Sequence, residues 1–178
     1  RGTKADLAEG RSRHLEAALS AWERCQKLGI RMKLNTVVCK ANLDDNMTEI
    51  VLQLMPERWK VFQVLPIDGQ NDGRVEDLLI SEDEFLEWVE RHKGVSNEGI
   101  NFISETNELM TGSYVMIDSL GRFYSNIEGA HKYTRSILEI GIKEAWRENQ
   151  FNEHHFIERE GIYDWRTLPS TSDDCNGG

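Results

Sequence analysis

Two short segments of the sequence carry cationic and amide side chains at alternating positions, an arrangement that could bind a phosphate group. Lys33 and Asn35 alternate with apolar residues in RMKLNTVV, and Arg58 and Lys60 alternate in RWKVFQVL. Alternate residues of a strand share one face. Neighbouring strands would therefore collect three cations on that face, where burial without a counter-ion is costly. Two interpretations stay open. The cations bind an anion such as a triphosphate, with about four negative charges, or they are solvated and paired with acids elsewhere.

The elements around these residues predict an α/β fold. A period of two indicates strands over residues 31–38 and 59–65, and a helix is expected between them at 48–54, closed by Met55-Pro56. A strand, a helix and a second strand form a crossover in which the two strands are parallel. The second strand is almost continuously apolar, as a buried parallel strand should be. Two parallel strands are too few for a complete barrel, so the sequence is expected to be part of a larger fold.

Further elements follow from local signals. A capping box at Ser81–Glu84 opens a helix that runs to about His92, with an apolar stripe of Phe85, Leu86 and Val89. The remaining predictions are a long amphipathic helix at 5–28 ended by Gly29, a β-hairpin from 114–117 and 122–124, and helices at 137–148 and 152–160.

Composition excludes several classes of function. The 178 residues carry a net charge of −10, which argues against direct nucleic-acid binding, since that requires a basic face. No apolar run approaches the length of about 20 residues that spans a bilayer. Cys25, Cys39 and Cys175 form no C-x-x-C pair, which argues against a disulfide framework or a zinc site. We expect a monomer in a reducing, intracellular and cytoplasmic setting.

Seven segments together resemble the viperin family of radical S-adenosylmethionine enzymes. They occur in order between Arg1 and about Trp165, as RMKLNTVV, NLDDNMTEIV, PERWKVFQVLPIDGQN, ISEDEFLEWVERHK, SETNELMTGSYVMID, SILEIGIKEAW and QFNEHHFIEREGIYDW. The resemblance implies that residues 1–80 are the last strands and helices of a partial (β/α)6 radical-SAM barrel. It implies that residues 81–167 are a C-terminal α/β extension closing over a nucleotide. Residues 168–178 are expected to be a disordered tail.

The resemblance also implies an activity, which is the antiviral conversion of CTP to 3′-deoxy-3′,4′-didehydro-CTP, with UTP as another possible substrate. In the family, S-adenosylmethionine, a 4Fe–4S cluster and an electron donor generate a 5′-deoxyadenosyl radical. This radical abstracts H4′, and water is then lost. The residues at the family's functional positions are Lys33, Asn35, Arg58, Lys60 and Arg159 for the triphosphate, Tyr114 as the candidate catalytic hydrogen donor, and Arg1 with Asn35 for S-adenosylmethionine.

The sequence departs from the family pattern in one respect that is decisive for the chemistry. The C-x3-C-x2-C loop that ligates the cluster is absent, so no metal ligand is expected in this chain, and the chain is expected to be inactive alone and part of a longer protein. Contact with a cluster-assembly factor is in doubt, because the sequence ends in DDCNGG where vertebrate members end in Trp. Membrane attachment through a preceding segment stays open. The alternative is a non-catalytic nucleotide-triphosphate-binding or scaffolding protein that lacks the cluster half.

Overall fold

The computed structural model describes residues 4–163, with side chains from residue 13 onward, and it confirms the α/β class. Two three-stranded sheets are present in this part of the chain. The first is parallel, in the order β1 (Lys33–Val38), β2 (Arg58–Gln63) and β3 (Asn101–Glu105), and the second is antiparallel, in the order β4 (Met116–Ile117), β5 (Arg122–Ser125) and β6 (Lys132–Ser136). The α-helices are α1 (Lys4–Lys27), α2 (Thr48–Leu54), α3 (Glu82–His92), α4 (Asn107–Met110), α5 (Ile137–Ile140), α6 (Ile142–Glu148) and α7 (Glu153–Glu158).

The predicted crossover is confirmed, with the helix at the predicted residues and strand limits that differ by up to two residues. β1 and β2 are parallel, with Lys33 opposite Arg58 and Asn35 opposite Lys60. Helix α2 connects them and ends at Met55, which adopts a left-handed conformation with φ 44° directly before Pro56. The polar residues of the two strands therefore share one face, as the alternation predicts.

Strand β3 is the main element that the sequence reading did not identify. It continues the parallel sheet beyond β2, with Lys60 opposite Ile103 and Phe62 opposite Glu105. Its polar composition, NFISE, hides it from a search for apolar runs. It belongs to the same sheet as β1 and β2 although it follows residue 80 in the chain, and the division into segments 1–80 and 81–167 stays a prediction.

The hydrophobic core lies on one face of the parallel sheet only. Helices α2 and α3 pack there, and the fully buried side chains include Val38, Val51, Trp59, Val61, Phe85 and Trp88. The opposite face carries the alternating polar residues of β1 and β2 and has no such layer of helices within residues 4–163. This asymmetry leaves the polar face free to form a site.

The predicted apolar stripe of α3 is confirmed at Phe85 and, as a partly buried residue, at Val89, and it is wrong at Leu86. Ser81 and Glu84 form the expected capping box, but the buried residues are Phe85, Trp88 and His92, and Leu86 is 46% exposed. Positions i, i+3 and i+7 share a helix face, so the aromatic residues set the stripe rather than the aliphatic ones.

His92 is a buried structural residue rather than a solvated helix end. Its Nε2 accepts a hydrogen bond from the backbone N–H of Met47 at 3.0 Å, and its Nδ1 lies 2.7 Å from the carbonyl oxygen of Trp88. One ring nitrogen accepts and the other must donate, which is the neutral tautomer. Burial lowers the pKa of His92 from its ordinary value. The imidazole thus joins α3 to the start of α2.

The remaining predicted elements are present with shifted limits. The helix expected at 137–148 is divided at Gly141 (φ 79°, ψ 155°) into α5 and α6. The hairpin is present, and β6 adds an unpredicted third strand to it. None of the helices within residues 4–163 combines the length and the apolar character needed to cross a bilayer.

We predict that the free energy of unfolding decreases as the pH falls through about 6.5, the ordinary pKa of histidine. The folded state resists protonation of His92 while the unfolded chain accepts it, so stability is present above this pH and is lost below it. Urea denaturation between about pH 8 and pH 5 measures the effect. His92→Gln should flatten this part of the profile, whereas the matched variant His154→Gln, at an exposed site, should leave it unchanged. Parallel profiles for wild type and His92→Gln would contradict the assignment.

Candidate functional site

A cleft of about 300 Å³ opens on the polar face of the parallel sheet. Five of the residues lining it carry a charge at neutral pH, four of them cationic. The lining residues are Lys33, Arg58, Lys60, Tyr114, Arg159, Glu160, Gly161 and Tyr163. We call this the cationic cleft. It joins three parts of the chain that are distant in sequence: strands β1 and β2, the segment after α4, and the end of α7.

The strands supply cations that differ in burial. Arg58 is 2% exposed and Lys60 is 5% exposed, while Lys33, on the edge strand, is open to solvent. Burial lowers the pKa of Lys60, and the Glu105 carboxylate opposes that change. Partial burial and the neighbouring Arg58 charge lower the pKa of Lys33. Within the described residues no carboxylate forms an ion pair with Lys33, so it is the cation best placed to meet a ligand.

Glu105 provides the internal counter-ion of the cleft. Its carboxylate is fully buried and forms an ion pair with Lys60 Nζ. The same carboxylate lies 3.4 Å from Arg159 Nη1 and accepts a hydrogen bond from the Tyr114 hydroxyl at 2.5 Å. Unpaired cations could not be buried at this depth without a large desolvation penalty. Glu105 therefore meets part of the requirement for an anion that the sequence pattern indicated.

The segment after α4 holds Tyr114 in place through a tight turn. Gly112 has φ +71°, and a Cβ atom there would meet the Ile127 side chain at 2.8 Å, so a larger residue would be excluded. The N–H of Gly112 donates to Asn126 Oδ1 at 3.0 Å, and the Ser113 hydroxyl donates to the Leu109 carbonyl at 2.6 Å. Tyr114 follows this turn and lies just before β4.

Helix α7 positions Arg159 at its C-terminal end. The side chain of Asn152 caps the helix, and its backbone N–H donates to the Gly112 carbonyl at 2.9 Å. Arg159 Nη2 donates to the Ser113 carbonyl at 2.8 Å, and the guanidinium lies 3.7 Å from the centroid of the Tyr114 ring. The helix and the turn before Tyr114 are thus connected twice.

The chain after α7 folds back over Arg58. Glu160 adopts a left-handed conformation (φ 53°), and the N–H of Gly161 bonds to the Phe156 carbonyl at 2.8 Å, which closes the helix with a Schellman motif. The Glu160 carbonyl accepts a hydrogen bond from Arg58 Nη2 at 2.9 Å. The Tyr163 ring lies 4.3 Å from the Arg58 guanidinium carbon. Arg58 Nη1 is buried and has no hydrogen-bond partner within the described residues.

The structure brings together five of the residues that the sequence indicated. Lys33, Arg58, Lys60, Tyr114 and Arg159 all line the cationic cleft. Their roles toward a nucleotide stay predictions.

Two other predicted site residues differ from this group. Asn35 lies opposite Lys60 on the same sheet face but is exposed and does not line the cleft. Arg1 lies outside the described residues.

Sequence reasoning missed Glu105, although a signal for it exists. Asn101, Ile103 and Glu105 alternate through NFISE and follow a capped helix, which is the position of a third parallel strand. A carboxylate ending that strand would face the cations of the strand beside it. The contacts of Glu105 with Tyr114 and Arg159 have no such signal, because those residues lie 9 and 54 positions away.

No group of three His, Cys, Asp or Glu side chains within the described part of the chain is arranged to hold a metal ion. Cys25 lies on α1 and Cys39 directly follows β1. Cys175 lies outside the described residues. The residues present therefore do not fit an iron–sulfur cluster, which requires several thiolate ligands at one place.

Comparison with curated proteins identifies the relatives of this chain. It is 49% identical over 138 residues to a protein of Flammeovirga pacifica, 39% identical over 145 residues to one of Lacinutrix mariniflava, and 37% identical over 163 residues to one of Oncorhynchus mykiss. The first two are named S-adenosylmethionine-dependent nucleotide dehydratase, and the third carries the same name followed by RSAD2. The chain belongs to this family, the viperins. No protein-family model matches it.

The viperin similarity covers most of this chain but only part of each relative. The matched regions cover 78%, 82% and 89% of the chain, and 46%, 30% and 46% of the three relatives. The chain thus spans less than half the length of these relatives and matches the C-terminal part of a viperin. The family resemblance drawn from the seven sequence segments is confirmed.

We predict that Glu105→Ala lowers the free energy of unfolding by about 3–5 kcal/mol, because it leaves Lys60 buried without its counter-ion. Urea denaturation at neutral pH measures the loss. Glu90→Ala is the matched control, since Glu90 also pairs with a lysine, Lys93, but both side chains are exposed. The control should change stability little. Equal effects of the two substitutions would contradict the role given to Glu105.

Proposed function

We propose that this chain supplies the triphosphate-binding side of a viperin-like nucleotide dehydratase. In this proposal the sheet of β1, β2 and β3 is one part of a partial (β/α)6 radical-SAM barrel, and the cationic cleft faces the barrel interior. The observation that carries the proposal is the meeting of four cationic side chains from β1, β2 and the end of α7 in one cleft. Within residues 4–163, helices α2 and α3 pack on the other face of this sheet, as helices do on the outside of a barrel, where strands direct alternate residues inward.

The charge balance of the cleft supports an anionic ligand. Four cations face two carboxylates, those of Glu105 and Glu160, which leaves a surplus of two positive charges. A triphosphate carries about four negative charges and accepts hydrogen bonds from Lys and Arg at many oxygens. Lys33 has no ion pair within the described residues, and Arg58 keeps a buried nitrogen without a partner. Both could gain hydrogen bonds from phosphate oxygens.

For the complete protein, the proposal also names a substrate and a reaction. We take the substrate to be CTP, with UTP as the next candidate, and the reaction to be loss of water to give 3′-deoxy-3′,4′-didehydro-CTP. The curated relatives are named as S-adenosylmethionine-dependent, and in this proposal that cofactor serves the complete protein too. Tyr114 lies in the cleft as the candidate hydrogen donor.

The described residues of this chain do not fit an iron–sulfur cluster. In the proposed enzyme the cluster and the electron that it receives belong to residues outside these 178. The part played by this chain is to bind the triphosphate, to orient the nucleotide and to hold Tyr114 in place. The chain alone should accordingly bind nucleotide without turning it over.

A second candidate function is nucleotide binding without catalysis. The observation that favours it is the presence of a connected cationic cleft together with no fitting set of cluster ligands among residues 4–163. The two candidates agree on what binds and differ on whether 5′-deoxyadenosine is released.

We predict that the 178-residue chain binds CTP and that Lys33→Gln weakens this binding about tenfold or more. Loss of a charged hydrogen-bond donor to phosphate costs about 1.5–3 kcal/mol. Isothermal titration calorimetry with CTP, UTP and CMP measures the affinities. CMP should bind more weakly than CTP, because it lacks two phosphate groups.

The control for this measurement is Lys132→Gln, which removes the same charge from a surface ion pair with Glu128 outside the cleft. It should leave the CTP affinity unchanged. Equal affinities of wild type and Lys33→Gln, or failure of any triphosphate to bind, would overturn the proposed site.

We also predict that the complete protein, reconstituted without oxygen with iron, sulfide and a reductant, releases 5′-deoxyadenosine only when CTP or UTP is present. Mass spectrometry of the nucleotide should show the loss of one water. Binding without either product would select the non-catalytic candidate. Turnover by the 178-residue chain alone would contradict the view that the cluster belongs to other residues.

A further inference from the structure

The hydroxyl of Tyr114 lies among positive charges. The Arg159 guanidinium carbon is 3.7 Å from the centre of its ring, and Lys60 pairs with the same carboxylate that the hydroxyl contacts. Cations this close favour the charged form of a phenol. A phenolate has no O–H hydrogen, so a tyrosine in a cationic cleft would tend to lose the group that makes it useful as a hydrogen donor.

We propose that Glu105 is a positioning residue that keeps the Tyr114 hydroxyl protonated and fixed in direction within the cationic cleft. The inference rests on the proposed function of the cleft and adds to it a residue that neither the alternation of the strands nor the family resemblance indicated. Glu105 acts through Tyr114 and does not line the cleft itself.

The geometry around Glu105 supports this role. Its carboxylate is fully buried at the end of β3, and Oε2 receives the Tyr114 hydroxyl while Oε1 faces Lys60 and Arg159. An ionised carboxylate can only accept hydrogen bonds, so the proton between the two groups stays on the phenol oxygen. The Arg159 guanidinium stacks on the phenol ring and restricts its rotation. One acid thus offsets two cations and orients one hydroxyl.

The balance of charges on Tyr114 agrees with this arrangement. Burial raises the pKa of Tyr114, the hydrogen bond to Glu105 and its negative charge raise it further, and Arg159 opposes the change. The other titratable groups that line the cleft around Tyr114 come from β1, β2 and the chain after α7, and they are Lys33, Arg58, Lys60, Glu160 and Tyr163. Without Glu105, the charge that remains against the Tyr114 side chain is that of Arg159.

A spectroscopic titration tests the proposal without any ligand. The near-ultraviolet absorbance of phenolate is recorded against pH for the wild-type chain and for Tyr114→Phe. Because the sequence has four tyrosines, the difference between the two curves isolates Tyr114. We expect it to ionise well above the ordinary pKa of about 10. Ionisation at or below that value in the wild type would overturn the proposal, and this comparison needs no substitution of Glu105.

Two substitutions of Glu105 then separate charge from shape. Glu105→Gln keeps the size but removes the charge, and we expect the Tyr114 transition to fall by about one pH unit or more. Glu105→Asp keeps the charge and should retain most of the shift. Each variant is read against its own double variant with Tyr114→Phe. An unchanged transition in folded Glu105→Gln would show that burial alone protects the hydroxyl and would overturn the proposal.

The matched control is Glu57→Gln. Glu57 also contacts both an arginine, Arg31, and a tyrosine hydroxyl, that of Tyr163, but it is partly exposed. This variant should leave the Tyr114 transition where it is in the wild type. The titration needs no nucleotide, so a Tyr114 transition that contradicts the role of Glu105 would leave the proposed triphosphate site unaffected. Conversely, the expected raised transition of Tyr114, found together with no CTP binding, would refute the triphosphate site and leave the role of Glu105 at Tyr114 intact.

Discussion

The buried carboxylate of Glu105 is the interaction on which the rest of the cleft depends. Lys60 and Arg159 are each about 5% exposed, and two cations at that depth are stable only if an anion accompanies them. Glu105 supplies it from the end of β3 and binds the Tyr114 hydroxyl with the same group. Because these three partners come from β2, the turn after α4 and the end of α7, the carboxylate also holds the C-terminal elements against the sheet.

The asymmetry of the parallel sheet explains why such a site can exist. The aromatic and aliphatic residues of β2, α2 and α3 form the core on one side, where Trp59 packs against Trp88. That side supplies apolar burial, so the other side can carry charge. The core is completed by His92, which is neutral and bonded at both ring nitrogens. The hydrophobic core and the cationic cleft thus lie on opposite faces of the same sheet.

The local pattern of the sequence was sufficient for most elements and for half of the site. Alternation identified β1 and β2 and placed Lys33, Arg58 and Lys60 on one face, and the capping box fixed the start of α3 at Glu82. It failed for β3, whose residues are mostly polar, and in α3 it chose the exposed Leu86 and missed Trp88. In both cases tertiary contacts decided the outcome: β3 pairs with the buried strand β2, and Trp88 packs edge to face against Trp59.

The sequence by itself determined that cations would gather on one face of two parallel strands, since strand periodicity and parallel pairing are local rules. The family also followed from the sequence, because seven ordered segments are more specific than any single motif. Only the tertiary structure decided which groups compensate the charges of these buried cations. The contacts of Glu105 with Tyr114 and Arg159, and of Arg58 with the Glu160 carbonyl, join residues up to 102 positions apart. No local rule encodes such contacts, because they depend on how whole elements pack.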